Sequence, residues 1–239
     1  MLFSITEAKN IALQYSDNQG DEAGLADAFA QICSFLHDHP ESLSWPRRAT
    51  RPVEFDAAVL QQLAGKYFDG YRKSDFPATP GTIPDSAVSL VMMEVFGYAE
   101  TDIERIKLEH QRAMSAENCV GALLERYIDS VLRPHGWCWC CGSFVKAVDF
   151  IQRDSDGNWL VLQIKNRDNS ENSSSSAIRK GTSIQKWFRT YSRKSATNWD
   201  NLPPLMQGYD LSEEGFIRYA RAYLRTAKQK LQSEGRVPG

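Results

Sequence analysis

No run of roughly 18 apolar residues passes through the 239-residue chain, so nothing in it reads as a membrane-spanning helix. Met1 to Asn10 lacks the basic start and apolar stretch of a secretory signal, and the expectation is a cytoplasmic protein with no membrane partner. Cysteine is scarce. Its five copies (Cys33, Cys119, Cys138, Cys140, Cys141) are odd in number, and three crowd together, which excludes a regular disulfide framework and predicts free thiols. Internal repeats are missing, and the only low-complexity tract is Ser173 to Ser176. Net charge is almost absent as well, with 28 Lys and Arg against 30 Asp and Glu, or −2.

What is present is enough apolar and aromatic material, 42% and 11% of residues, for a sizeable core in one large domain or a core with a subdomain. The small net charge hides an uneven distribution. Lys165 to Lys194 holds eight basic residues against Asp168 and Glu171, and Gly215 to Gly239 holds six against Glu234, so residues 1 to 164 are acidic. Basic segments late in an acidic chain suit a DNA-facing surface, and they equally suit two solvated helix faces.

Apolar residues recur at helical spacing through Ile11 to Leu36 and Val59 to Tyr71, and Val88 to Tyr98 is densely apolar. Proline-rich loops at His39 to Val53 and Asp75 to Pro84 separate these stretches. Residues 1 to 115 are therefore expected as a helical N-terminal region, 116 to 200 as the core, and 201 to 239 as a basic C-terminal helix packed on it. In the core, Val120 to Leu132 forms an apolar arc closed by Pro134 and Gly136, with Glu125 at the arc's edge. Phe144 to Ile151 and Trp159 to Lys165 are β-prone, and Asp156-Gly157 between them signals a hairpin.

The two-residue strand period puts Trp159, Val161, Gln163 and Lys165 on one face. If Asp156-Gly157 is a two-residue turn, counting back sets Asp149 opposite Ile164, within one residue of Gln163 and Lys165. A carboxylate, an amide oxygen and an ammonium then converge. Phosphodiester hydrolysis needs such a set: a hard divalent cation on oxygen ligands, and positive charge near the reacting phosphate. Asp149, Gln163 and the Ile164 carbonyl can hold Mg²⁺, Lys165 can orient or deprotonate a water, and Glu125 can add a carboxylate or bind a coordinated water. The other reading is a cross-strand ion pair of Asp149 and Lys165 with Glu125 solvated. The apolar flanks of both strands favour the first, because unpaired polar groups in central strands are costly.

Glu125 in a Gly121-Ala-Leu-Leu-Glu-Arg-Tyr-Ile helix, Val148-Asp149 at a strand end, and Gln163-Ile164-Lys165 further on together resemble the PD-(D/E)XK nuclease motif. Within that superfamily the chain looks most like type II restriction endonucleases of the SinI kind, which cut at GGWCC. The resemblance implies an α/β (α+β) fold with a restriction-endonuclease-like core, a central mixed sheet flanked by helices. It implies Mg²⁺-dependent, sequence-specific cleavage of double-stranded DNA, a homodimer, since a palindromic site needs two centres related by a twofold axis, and a cognate DNA methyltransferase protecting the host. In such enzymes DNA contacts often follow the motif lysine. Asn166, Arg167, Asn169, Asn172, Arg179 and Lys180 offer the donors that read bases or hold phosphates, and Ser183 to Arg193 is expected as a helix with Lys186 and Arg189 outward. Two positions depart from the motif. Val148 replaces its proline, and Gln163 replaces its acidic ligand, which weakens the charge on a metal. That substitution keeps open a binding-only descendant, and a structure-specific or modified-DNA nuclease of the same core is the other alternative.

Two further clusters carry less. Trp137-Cys138-Trp139-Cys140-Cys141 lacks the spacing of a zinc knuckle and is read as a buried strand entry. His37-Asp38-His39 falls at a helix end, where polar residues are expected.

Overall fold

Apolar periodicity accounts for the first three helices, and side-chain caps start two of them. The structure is a computed structural model and describes residues 3–16, 24–46, 50, 52, 54–77, 85–168 and 184–235. Helix α1 (Ile5–Leu13) starts where the Ser4 hydroxyl accepts the Glu7 N–H, and α3 (Ala57–Arg72) where the Asp56 carboxylate accepts the Val59 N–H. In α2 (Leu25–Asp38) Ala26, Phe29, Ala30, Cys33 and Leu36 are buried, and in α3 Leu60, Leu63, Ala64, Tyr67 and Phe68. These repeat at three and four residues, so each helix buries one stripe, and α1 packs on both α2 and α3.

The chain divides into two compact units, Met1–Lys73 with Glu125–Phe216, and Ser74–Leu124 with Ile217–Gly239. The first holds α1 to α3 and a four-stranded sheet of β1 (Cys138–Trp139), β2 (Phe150–Arg153), β3 (Trp159–Arg167) and β4 (Gln185–Thr190), in that spatial order. β1 with β2 and β2 with β3 are antiparallel, while β3 with β4 is parallel. The second holds α4 (Ser86–Phe96), the start of α5 (Glu100–Leu132) and most of α6 (Glu213–Ser233). Inside it the Asp75 N–H donates to the Tyr223 hydroxyl at 3.0 Å, and the Cys119 thiol donates to the Asp75 carbonyl. The result is the mixed α+β architecture with an N-terminal helical part that the sequence predicts. Among the described residues no helix is long and apolar enough to cross a membrane.

Three expectations are corrected. The β-prone run Phe144 to Ile151 becomes strand only from Phe150. Before it, the chain pairs with residues 42–44 instead: the Ser44 N–H donates to the Phe144 carbonyl and the Lys146 N–H to the Ser42 carbonyl, both at 2.7 Å, and Ala147 turns to φ +58°. Ser183 to Arg193 is not a helix, since Gln185–Thr190 is β4. Its Trp and Phe have weak helix propensity, and a parallel ladder with β3 satisfies its backbone. The helix expected from Val120 begins earlier, at Glu100.

The polar residues at the end of α2 fasten the hairpin. Asp38 accepts from Trp159 Nε1 at 2.9 Å and from Arg153 at 3.0 Å. Burial opposes ionisation of Asp38, but the bonds from Trp159 and His37 and the Arg153 charge win and hold its carboxyl below the usual range. At the other end of β1 the backbones touch. A Cβ on Gly70 would sit 2.5 Å from the Gly142 backbone, and Gly142, at φ +96°, lies under the Lys66 carbonyl. Gly70→Ala should therefore cost at least about 2 kcal/mol of stability. Urea unfolding measures it, and a midpoint equal to that of the parent chain would contradict the close approach.

Candidate active site

The centre grows from the hairpin between β2 and β3. Its turn is longer than Asp156-Gly157 alone: the Asp154 carboxylate accepts the N–H groups of Asp156 and Asn158 at 2.9 and 2.8 Å, and Gly157 supplies φ +83°. Arg153 then pairs with Trp159, Ile151 with Val161 and Phe150 with Leu162. Carrying this register one residue further sets Asp149 across from Gln163, not from Ile164 as the two-residue turn required. The slip comes from Asp154, whose side chain organises a loop one residue out of step with the expected one.

Asp149 spans the β3 backbone on both sides of Gln163. Its N–H donates to the Leu162 carbonyl at 2.9 Å, and its Oδ2 accepts the Ile164 N–H at 2.6 Å. The carboxylate thus takes a ladder position that strand backbone would otherwise fill. Burial pushes the Asp149 carboxyl above its ordinary range, with the Lys165 charge and the Ile164 bond pulling the other way. A carboxylate in this setting is stabilised by added positive charge.

Gln163 is almost wholly buried. It shares a β3 face with Lys165 by strand alternation, and in the parallel ladder Lys186 pairs with Gln163 and Phe188 with Lys165. Lys186 was expected on an outward helix face. Strand pairing places it instead beside the candidate ligand.

Glu125, near the end of α5, accepts from Trp139 Nε1 at 3.0 Å, and Arg126 lies over the same indole. Glu125 and Asp149 both act on the Cys140 thiol, which burial first and then these charges push up. The Asp149 carbonyl accepts the Cys140 N–H at 2.8 Å. All five cysteines are free and buried, and burial raises Cys138 to about 12. Cys138 lies in β1, with Cys140 and Cys141 just after it. Among the described residues no three His, Cys, Asp or Glu side chains form a metal-holding group.

The segment after Lys165 is only partly placed. Asn169, Asn172, Arg179 and Lys180 lie outside the described residues. Arg167 is exposed at the end of β3. Arg189, expected to point outward, is turned in on β4: Nε donates to Asn166 Oδ1 at 3.0 Å, Nη1 to Glu213 at 2.6 Å, and the guanidinium lies over Phe216. Glu213 also accepts from Trp199 Nε1 at 2.6 Å. This anchor was missed because an acidic residue in the first turn of a helix is explained by the helix dipole alone. Ser212 caps α6 as expected, accepting the Gly215 N–H. Glu213→Ala would leave Arg189 charged and nearly covered, a loss of about 2 to 3 kcal/mol, readable in a thermal melt. A melt equal to that of the parent chain would mean the pair is replaced by solvent.

A carboxylate at the end of an antiparallel strand, a Gln-x-Lys on the next strand and a parallel strand beyond it make up a restriction-endonuclease-like core. The comparison with known sequences then narrows the class. The model of the SinI restriction endonuclease family matches residues 8–226, and the chain belongs to that family of type II restriction endonucleases, hydrolases that cut DNA at specific sites. It is 44% identical over 228 residues to the type II restriction enzyme SinI of Salmonella infantis, covering 95% of this chain and 98% of that protein. It is 43% identical over 221 residues to the type II restriction enzyme Eco47I of Escherichia coli, covering 92% and 95%.

Proposed function

We propose that this restriction endonuclease cuts both strands of DNA at GGWCC with Mg²⁺, through a centre made of Asp149, Gln163, Ile164 and Lys165. The observation that carries the reading is the placement of Asp149 on both sides of Gln163, with the Lys165 charge acting on it. The donors there are hard oxygens, the Asp149 carboxylate, the Gln163 amide and the Ile164 carbonyl, and they suit Mg²⁺. Asp149 is buried, so a cation relieves the cost of its charge. The donor set therefore fits the ion. Mg²⁺ held there supplies Lewis-acid charge against the phosphate as it gains negative charge.

The chain's own groups do the rest. Lys165 orients the attacking water and keeps positive charge at the reacting phosphate. Lys186, in register with Gln163 on β4, holds a neighbouring phosphate oxygen. Glu125, fixed by the Trp139 indole, would accept a hydrogen bond from a water at the edge of the site. Arg167, exposed at the end of β3, faces the DNA, and by residue type Asn169, Asn172, Arg179 and Lys180 supply further base or phosphate contacts, while Arg189 positions Asn166 from behind. Two strands need two centres, so the working unit is a homodimer, and a methyltransferase of the same specificity protects the host.

Incubating the protein with a sequenced plasmid in Mg²⁺, with and without EDTA, and sequencing the ends tests this directly. Metal-dependent ends at GGWCC are expected. Ends elsewhere would remove the specificity, and intact plasmid alongside sequence-specific binding in Ca²⁺ would indicate a binding-only chain with Gln163 as the cause. Asp149→Ala and Lys165→Ala should each lower the rate by on the order of 10³ while leaving binding in Ca²⁺ within a few fold. Retained cutting by either variant removes the proposed centre. Gln163→Glu adds the missing charge and should lower the Mg²⁺ concentration for half-maximal cutting, if the variant folds as the parent does by circular dichroism. A folded variant with an unchanged or higher Mg²⁺ requirement would take Gln163 out of the ligand set.

A further inference from the structure

Helix α4 differs from α1, α2 and α3, each of which buries an apolar stripe. It is properly ended, with the Asp85 carboxylate accepting the Ala87 N–H at 2.9 Å and Gly97 at φ +70° returning its N–H to the Met93 carbonyl. Yet none of its residues from Ala87 to Phe96 is buried, although the run is almost entirely apolar and Glu94 is its only charge. Val88, Leu90, Val91, Val95, Phe96 and the following Tyr98 are between 46% and 69% exposed. A helix apolar around its whole circumference belongs inside something, and an isolated helix of this length is marginal in water.

At 100° per residue Val88, Val91, Met92, Val95 and Phe96 fall on a stripe about 140° wide. We infer that this stripe of α4 is the surface on which a second copy of the chain docks. Three features select that occupant. On the stripe itself Val88, Val91, Val95 and Phe96 are 47% to 69% exposed and together offer on the order of 400 Å² of apolar surface, the size of patch that on a soluble monomer is often functional, and a surrounding polar rim extends it toward the roughly 800 Å² per partner of a stable interface. The stripe has no Lys or Arg to receive DNA and no run of charge to receive an oppositely charged protein, whereas interfaces between identical subunits are the apolar kind. Finally, a twofold pair puts the same patch on both sides, so a uniformly apolar stripe is complementary to itself. The inference gives a place to the homodimer that double-strand cutting requires, and in that respect rests on the proposed function.

Sedimentation velocity of the purified chain, with Val91→Glu/Val95→Glu and Leu90→Lys beside it, tests the stripe. Leu90 lies about 160° around the helix from Val88 and serves as the control. The parent chain and Leu90→Lys should be dimers at micromolar concentration. Val91→Glu/Val95→Glu should dissociate with a constant raised by at least about 100-fold, with an unchanged far-ultraviolet spectrum because the replaced side chains touch solvent in the single chain. Plasmid cutting by the double variant should change from linear product to nicked circles.

Hydrogen exchange of the parent chain gives a readout that needs no variant. Amides of residues 86–96 should slow as concentration rises through the dimer range. A monomeric parent chain, a dimeric double variant, or exchange in 86–96 that ignores concentration would each overturn the inference. The nuclease reading fails differently, by a dimer that cuts no DNA, and that result would leave the α4 surface standing.

Discussion

The contact between the Asp149 carboxylate and the Ile164 N–H is the constraint on which the site depends. At the end of β2 the antiparallel ladder runs out, and Ile164 N–H, in a central strand, needs an acceptor. A backbone carbonyl would extend the sheet and leave no chemistry. A side-chain carboxylate in the same place satisfies the strand and brings a negative charge against Gln163, at the cost of burying that charge. Lys165 offsets part of that cost by its charge. The strain of a half-compensated buried carboxylate is what makes the place suited to a cation.

The sheet holds this arrangement from the far side. β4 runs parallel to β3, so its residues pair in even steps from Leu162 with Gln185 to Arg167 with Thr190. Arg189 ties the end of β4 to the start of α6 through Glu213, which also receives the Trp199 indole, and Trp187 is packed on Trp199. One acidic side chain at a helix start thus fixes a strand, a short turn and the residue next to the motif lysine, Asn166. The β3 backbone carrying Gln163 and Lys165 is held between Asp149 on one edge and this anchored strand on the other.

Residue chemistry and strand period set Asp149, Gln163 and Lys165 near one another in the sequence, and the hairpin brings Asp149 across from Gln163 with the Lys165 charge acting on it. Register was not legible to the residue. Whether Asp154 takes part in the turn depends on where its carboxylate points, and a one-residue difference there moves Asp149 from Ile164 to Gln163. The secondary structure of Gln185–Thr190 was misread for a related reason. Its basic residues at helical spacing fit an outward helix, and only the open edge of β3, a long-range feature, makes the same residues a strand. The inward turn of Arg189 follows from that pairing, so no local signal could announce it.

A neutral Gln163 where the resembled motif carries an acid is the feature that most separates this centre from that motif. Gln163 brings an oxygen without charge, so the negative charge beside it comes from Asp149, with Glu125 bound to Trp139. Two positive side chains, Lys165 and Lys186, stand on the strands beside it. A second acid at position 163 would stand across from a carboxyl already raised by burial. Two carboxylates in that environment repel one another and share the cost of desolvation. Gln163 keeps an oxygen at this position and removes the repulsion, so β3 carries a buried polar residue without a second buried charge.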